Sequence, residues 1–354
     1  MRAIAVDPTI QDMIWANAPV AIGVSGGKDS QAAAIATLSH LKVNGHAGTV
    51  VLIHSDLGVV EWKDSLPACQ RLADKLGLEL LVVRRKAGDL MDRWEARWQS
   101  SKTRYEELST VTLVPCWSTP AMRFCTSELK THIIMAELKR RFKNQPIINV
   151  TGVRREESAA RAKGTIASSD ADGRIWSWRP LSDWTVDDVF ASIAAAGMEP
   201  HQAYTQFGMS RVSCMFCIMS NEADLLAAAG QDEAQEILHR MVDLECASTF
   251  AFQGSRWLAD VRPDRLHALH ASALAAAKRN AARRVELEKR ITKDMRYVSG
   301  WPTRMLTNDE AEILAGVRTE LSGLLGFNSK HLTIDGIHGR YAQLMAAKAE
   351  GREG

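Results

Sequence analysis

Several ingredients are scarce in this chain, and each scarcity excludes something. Six cysteines in 354 residues are too few for a disulfide scaffold. They read as thiols in a reducing cytoplasm, available for metal or chemistry. No apolar run approaches the roughly 18 residues of a membrane span. Met1 to Gln11 lacks a basic-then-apolar signal pattern, so a cytoplasmic protein with no membrane partner is expected. One-sided charge is missing too: 44 Lys plus Arg stand against 42 Asp plus Glu, a net +2, so any basic surface has to be local. What the chain does have is apolar content, 46% against 24% charged, enough to bury a sizeable core. Its length allows two domains.

The first half alternates short apolar runs with helical patterns. Val20 to Val24, Thr49 to His54, Leu78 to Arg84 and Pro146 to Val153 are rich in Val, Ile and Leu and too short for buried helices. They suit strands covered on both faces. Between them lie helix candidates at Ser30 to Val43, Pro67 to Leu76, Asp89 to Ser100 and Ser127 to Phe142. A further strand, about Ile175 to Leu181, precedes a helix with Thr185 as its cap, Asp188 three residues on and Gly197 at its far end. This alternation predicts an α/β fold with a doubly wound, mostly parallel sheet. After Pro200 the texture becomes Ala-, Leu-, Glu- and Arg-rich with no strand signal, so residues 1–200 are expected to form the α/β domain and 201–354 a helical one.

Val20 to Val24 runs straight into Ser25-Gly26-Gly27-Lys28-Asp29-Ser30 and then an Ala-rich helix. A strand ending in small residues with a helix starting at once makes an anion site: glycines permit close approach, backbone N–H groups point inward, and the helix start adds positive potential. Lys28 supplies a cation for phosphate oxygens, and Ser25 and Ser30 supply hydroxyls. The spacing matches neither a Walker loop nor a dinucleotide fingerprint.

Ser25 to Ser30 resembles the PP-loop of the ATP-pyrophosphatase superfamily, whose members typically bind ATP and activate a substrate oxygen as an adenylate, releasing pyrophosphate. Four further stretches follow in family order. His54-Ser55-Asp56-Leu57-Gly58, with Glu61, is similar to the segment beside the nucleotide. Arg123-Phe124-Cys125-Thr126-Ser127-Glu128-Leu129-Lys130 is similar to the Arg-x-Cys-x-x-x-Leu-Lys element of phosphoadenosine phosphosulfate (PAPS) reductases and their relatives. Gly152-Val153-Arg154-Arg155-Glu156-Glu157-Ser158, with Arg161, resembles Gly-x-Arg-x-x-Glu-Ser-x-x-Arg, and Arg179 to Thr185 resembles Pro-Leu-x-Asp-Trp-Thr. The resemblance implies an adenine nucleotide, ATP or PAPS, bound by Ser25, Gly26, Gly27, Lys28, Asp29, Ser30, Asp56, Gly58, Arg154, Glu157, Ser158 and Arg161. Lys28, Asp29 and Arg154 are its candidate catalytic residues. Arg154 and Arg161 are suited to clamp sulfate or phosphate bidentately. Asp29 or Asp56 would hold Mg²⁺ on the pyrophosphate.

Cys214-Met215-Phe216-Cys217 is a Cys-x-x-Cys in a segment with no thioredoxin-like context. In iron–sulfur members of the resembling family, a cysteine of the Arg-x-Cys element and a downstream Cys-x-x-Cys hold a 4Fe-4S cluster. That implies Cys125, Cys214 and Cys217 here, with Cys116, Cys246 or no residue as the fourth ligand. Zinc, with His201 as a competitor ligand, is the alternative.

Reductases of this family carry a catalytic cysteine in a carboxyl-terminal Glu-Cys-Gly-Ile/Leu-His element. Ile334-Asp335-Gly336-Ile337-His338-Gly339 has Asp335 at that position, and the last cysteine is Cys246. A carboxylate cannot form the thiosulfonate, so plain sulfate reduction is disfavoured. The remaining relatives activate a target with ATP and deliver sulfur to it. They include tRNA thiolases and the ATP-pyrophosphatase component of DNA phosphorothioation systems, to which Gly208 to Cys217 is similar. The expectation is therefore ATP-dependent activation of a nucleic-acid or other target, with a sulfur donor such as a cysteine desulfurase as partner. Alternatives are a PAPS or adenylyl-sulfate reductase, a non-catalytic nucleotide-binding subunit of a DNA-modification complex, and an FAD-synthetase-like nucleotidyl transferase. Lys278 to Arg296, with eight basic residues against three acidic ones, is a candidate phosphate-tracking face or a solvated helix surface. Trp94, Trp98, Trp117, Trp176 and Trp178 are candidates for base stacking or for core packing.

Overall fold

The structure is a computed structural model that describes residues 2–351. The Val/Ile/Leu runs become strands of one sheet: β1 (Val20–Gly23), β2 (Val50–Asp56), β3 (Glu79–Arg84), β4 (Ile147–Val150), β5 (Ala167–Ser169) and β6 (Ile175–Trp178). Their spatial order is β3-β2-β1-β4-β6-β5, parallel throughout except that β5 pairs antiparallel with β6. The doubly wound α/β architecture is the one expected. Only β5 carries no sequence signal, because three small residues on an exposed edge have no buried face to pattern.

Alternate residues of the central strands enter two cores. Val20, Ile22, Leu52, Ile148 and Trp178 pack on one face with Ile10, Ile14, Trp184 and Ile193. Ala21, Val51, Ile53, Ile147 and Ile175 pack on the other with Leu138 and Phe142. Each fully buried aliphatic side chain contributes about 1.5–3 kcal/mol. The helix Val186–Ala195 starts at the expected place: Thr185 and Asp188 form a reciprocal capping box, which satisfies two otherwise orphaned N–H groups.

The chain divides into two compact units, Met1–Leu90 with Pro120–Gln235, and Met91–Thr119 with Glu236–Gly354. This differs from a single cut near residue 200, and side-chain burial explains why. Residues 201–235 belong to the sheet unit, where the half-buried Tyr204 accepts the Lys28 N–H on its hydroxyl. Met91–Thr119 belongs to the helical unit, where Trp94 and Trp117 meet edge-to-face at 5.3 Å and Trp117 meets Phe252 at 5.3 Å. Trp94, Trp98, Trp117 and Trp178 are all buried, so core packing accounts for them.

The helical unit contains Gln235–Ser248, Ala268–Glu288, Asn308–Leu325 and Ile334–Ala349. Arg318, fully buried, donates to the carbonyls of Tyr105, Glu106, Lys330 and His331. Two of these acceptors end the helix Leu90–Glu106, so the guanidinium sits at a negative helix pole. Among the described residues no helix is long and apolar enough to cross a membrane.

Candidate functional site

From β1 the sheet runs outward through β2 and β3 on one side, and β4 lies on the other. The winding reverses between β1 and β4, and ligands of open α/β sheets bind at the carboxyl ends beside such a reversal. The PP-loop after β1 and the Gly152–Arg154 segment after β4 meet there. Their approach is backbone to backbone: a Cβ at Gly152 would lie 2.5 Å from the Asp29 carbonyl oxygen and 2.6 Å from its carbon. Gly26 has a positive φ of 76°, and a Cβ there would meet Ser65 O at 3.0 Å and His201 at 3.2 Å. Gly27 precedes the helix Lys28–Val43 and has no side chain to cap it, so its first N–H groups must find acceptors elsewhere.

A cleft of about 530 Å³ opens at this reversal. It is lined by Ser25, Gly27, Lys28, Asp29, Ser30, Arg154, Glu157 and Arg161 of the expected set. Ser55, Glu61, Lys130, Thr151, Gly152, Tyr204 and Arg211 complete the wall. Five cations face three carboxylates, a local surplus that suits a polyanion although the whole chain is nearly neutral.

Buried contacts orient these groups. Arg154 donates to Asp29 Oδ1 at 2.6 Å, to Glu156 at 2.9 Å and to the Trp184 carbonyl at 3.4 Å, and its own N–H is accepted by Glu157 at 2.8 Å. It was expected to clamp an anion directly; here its guanidinium holds Asp29 in the cleft. Lys28, also buried, pairs with Asp29 at 3.3 Å and donates to the Ser210 carbonyl at 3.3 Å. Arg161 is paired with Glu157. Ser30 Oγ donates to the Gly27 carbonyl and accepts the N–H of Ser25, closing the loop on itself. Behind it, buried His54 bonds the Val24 carbonyl at 3.0 Å and faces Glu61 at 3.2 Å. Burial opposes the charged imidazole, but hydrogen bonds to Cys69 and Glu61 raise its pKa to about 10.

Asp56, Gly58 and Ser158 do other work and are not among the cleft's lining residues. Asp56 accepts the Gly58 N–H at 2.8 Å and pairs with Arg84 at 2.6 Å, which fixes the turn after β2. Of the two aspartates considered for Mg²⁺, Asp29 is the one in the cleft. Ser158 caps the short helix Ala159–Ala162.

Cys125, Cys214 and Cys217 lie in the sheet unit. Cys125 sits in the turn Phe124–Thr126, which passes into a π-helical turn at Ser127–Thr131 before the helix His132–Arg141. The wider turn is tied to β2 through Ser55, whose hydroxyl donates to the Leu129 carbonyl, and it brings Lys130 to the cleft wall. Cys214 is buried, and burial pushes its thiol up; the Lys130 charge opposes this, while Cys217 and Cys125 act on it electrostatically. A single zinc ion needs its sulfurs about 2.3 Å away, and among the described residues no three His, Cys, Asp or Glu are grouped to hold one ion.

Cys116 and Cys246 both lie in the helical unit, where Cys116 is buried with its Sγ 3.7 Å from Ser248 Oγ, its thiol pushed up to about 12 by burial. His201 accepts the Ala203 N–H on Nδ1 at 3.0 Å, while its buried Nε2 has no hydrogen-bond partner and lies 3.9 Å from Asp64. Ile334 to Gly339 forms the start of the helix Ile334–Ala349, and His338 bonds the Leu306 carbonyl at 3.0 Å.

In the basic stretch, Lys278 pairs with Asp260, Arg283 with Glu320 and Glu286, and buried Arg284 with Glu288. Arg279, Lys289, Arg290, Lys293 and Arg296 are exposed. The sequence assigns no role to Tyr204, Arg211, Ser55 or Lys130; Ser55, Lys130 and Arg211 stand inside motif-like stretches, and Tyr204 and Arg211 arrive from a segment more than 170 residues after the loop Ser25–Ser30.

The family description "Phosphoadenosine phosphosulfate reductase domain" matches residues 19–220, which carry the whole sheet, the cleft and the three thiols. A protein of Escherichia phage 186, described as "Uncharacterized 37.8 kDa protein in gpa 5'region", is 30% identical over 165 residues, covering 44% of this chain and 42% of its own. The chain thus matches less than half the length of that relative. Among solved structures it is similar to a phosphoadenylyl-sulfate reductase from Candida auris in a phosphate complex, at 13% identity and TM-score 0.36, covering 60% of this chain and 98% of that one. It is also similar to the U34-tRNA thiolase NcsA from Methanococcus maripaludis with its 4Fe-4S cluster, at 15% identity and TM-score 0.34, covering 76% and 73%.

Proposed function

The chain belongs to the phosphoadenosine phosphosulfate reductase domain family, and from that premise we propose that it is a PP-loop sulfur-transfer enzyme that uses ATP to activate a target. The observation that carries this reading is the cleft at the β1/β4 reversal, where the start of the helix Lys28–Val43 lies among five cations that outnumber three carboxylates, one of which, Asp29, is held by Arg154. Lys28 and Arg161 would neutralise the polyphosphate, and Asp29 would hold Mg²⁺, whose charge eases departure of pyrophosphate. An acceptor oxygen attacks the α-phosphorus, the bond to pyrophosphate breaks, and the acceptor leaves as its adenylate. A sulfur nucleophile then replaces AMP.

Cys125, Cys214 and Cys217 would hold a 4Fe-4S cluster, with one iron left without a cysteine ligand. Such a group supplies a place to bind the incoming sulfur. The partner this chemistry implies is a sulfur donor, such as a cysteine desulfurase. A nucleic-acid acceptor is supported by the exposed cations Arg279, Lys289, Arg290, Lys293 and Arg296. Phosphosulfate reduction is the weaker reading, because Asp335 cannot act as the thiol nucleophile.

The test is ATP–Mg²⁺ binding by the full chain. A charge-assisted hydrogen bond is worth about 1.5–3 kcal/mol, so Lys28→Ala should weaken binding at least tenfold while the circular dichroism spectrum is retained. Equal affinity in the two proteins would reject the site.

A further inference from the structure

A tyrosine hydroxyl stands where an anion oxygen belongs. The first N–H groups of the 16-residue helix Lys28–Val43 are the natural donors to a phosphate. The Lys28 N–H instead donates to Tyr204 Oη at 3.2 Å, and the same oxygen accepts the N–H of Val212 at 3.1 Å. The Lys28 ammonium lies 5.0 Å from the Tyr204 ring centroid and donates to the Ser210 carbonyl. Ser210 is gripped from behind, its N–H and hydroxyl donating to Asp224 at 2.7 and 2.8 Å. The Lys28 backbone N–H and one donor of its ammonium are thus engaged by one segment, and that segment runs directly into Cys214 and Cys217.

We propose that Tyr204 is a positioning residue that couples nucleotide occupancy to the Cys214–Cys217 segment: its hydroxyl takes the Lys28 N–H that a phosphate oxygen would take, and a polyphosphate that binds the Lys28 donors displaces Tyr204 and Ser210 together. This rests on the reading of the cleft as a nucleotide site. Burial pushes the Tyr204 hydroxyl up to about 12, so it remains a neutral acceptor. An oxyanion makes a shorter and stronger hydrogen bond than a neutral oxygen, which gives the exchange its direction. Because the closed contacts must break first, they lower the apparent affinity for the anion by the fraction of molecules that are closed.

Two measurements on the full chain test this, with inorganic pyrophosphate and ATP–Mg²⁺ as probes: affinity, and amide hydrogen exchange of the peptide containing Val212. In the wild type, pyrophosphate should speed exchange in that peptide. Tyr204→Phe removes only the competing oxygen. It should bind pyrophosphate three- to tenfold more tightly, and its Val212 peptide should exchange fast with or without the probe. Asp224→Asn, which frees Ser210 without touching a phosphate donor, should shift both readouts the same way. Wild-type affinity and a wild-type exchange response in Tyr204→Phe would overturn the coupling while leaving the nucleotide site standing. Failure of the wild type to bind either probe would overturn the nucleotide reading, and the coupling with it.

Discussion

Replacing Gly152 by alanine adds a single methyl group where two backbones touch. The new Cβ would lie 2.5 Å from the Asp29 carbonyl oxygen and 2.9 Å from the Ser30 nitrogen, against 3.4 Å for ordinary contact. Something must therefore move by about 1 Å, and both obstacles are main chain at the start of the helix Lys28–Val43. Overpacking of this kind costs about 1–3 kcal/mol. If the helix start yields, the cost falls on the geometry that presents Asp29 and the Lys28 N–H, and at 1.4 kcal/mol per tenfold it weakens ATP–Mg²⁺ binding by about 5- to 150-fold. Gly164→Ala is the control. A Cβ there meets the end of the Arg179 side chain even more closely, yet a flexible guanidinium can swing away, so the change should stay within about 0.5 kcal/mol. The assay pairs urea denaturation with nucleotide titration for both variants. Gly152→Ala with wild-type stability and wild-type affinity would refute the claim that the two strand-end loops are locked backbone to backbone.

Other consequences can be checked on the same protein. Arg318→Met strands four carbonyl acceptors around a buried site and should cost about 3 kcal/mol or more in urea denaturation; a loss below about 1 kcal/mol would mean that water or a neighbour replaces the guanidinium. His54 has a folded pKa raised to about 10 against 6.5 unfolded, so its contribution is fully present below pH 6.5 and fades as pH rises through 10. At 1.36 kcal/mol per unit it amounts to at most about 5 kcal/mol, and His54→Gln should flatten the alkaline side of the stability profile. Protein purified anaerobically should be brown, with iron and sulfide in equal amounts, and Cys214→Ser should bleach it; stoichiometric zinc without visible absorption would decide against the cluster.

Much of the α/β half was legible because its signals are local. Strand runs, the glycine bend and the Thr185/Asp188 box each depend on residues within a few positions of one another, and the structure has each at its expected place, with β4 and β6 ending three residues earlier than their apolar runs. The edge strand Ala167–Ser169 was not legible, having no buried face. Nor was the engagement of Arg154 by Asp29, since those residues lie 125 positions apart.

The sequence by itself determined the strand–loop–helix unit around Lys28, the alternation that builds a parallel sheet, and the residue types available for phosphate and sulfur chemistry, because period, glycine placement and side-chain chemistry act over short range. Tertiary structure alone decided that Asp29 rather than Asp56 faces the cleft, that Cys116 stays with the helical unit, and that Tyr204 and Ser210 occupy the Lys28 donors. Those choices follow from how β1 and β4 are placed side by side and from which apolar side chains bury together, and neither is written in the spacing of neighbouring residues.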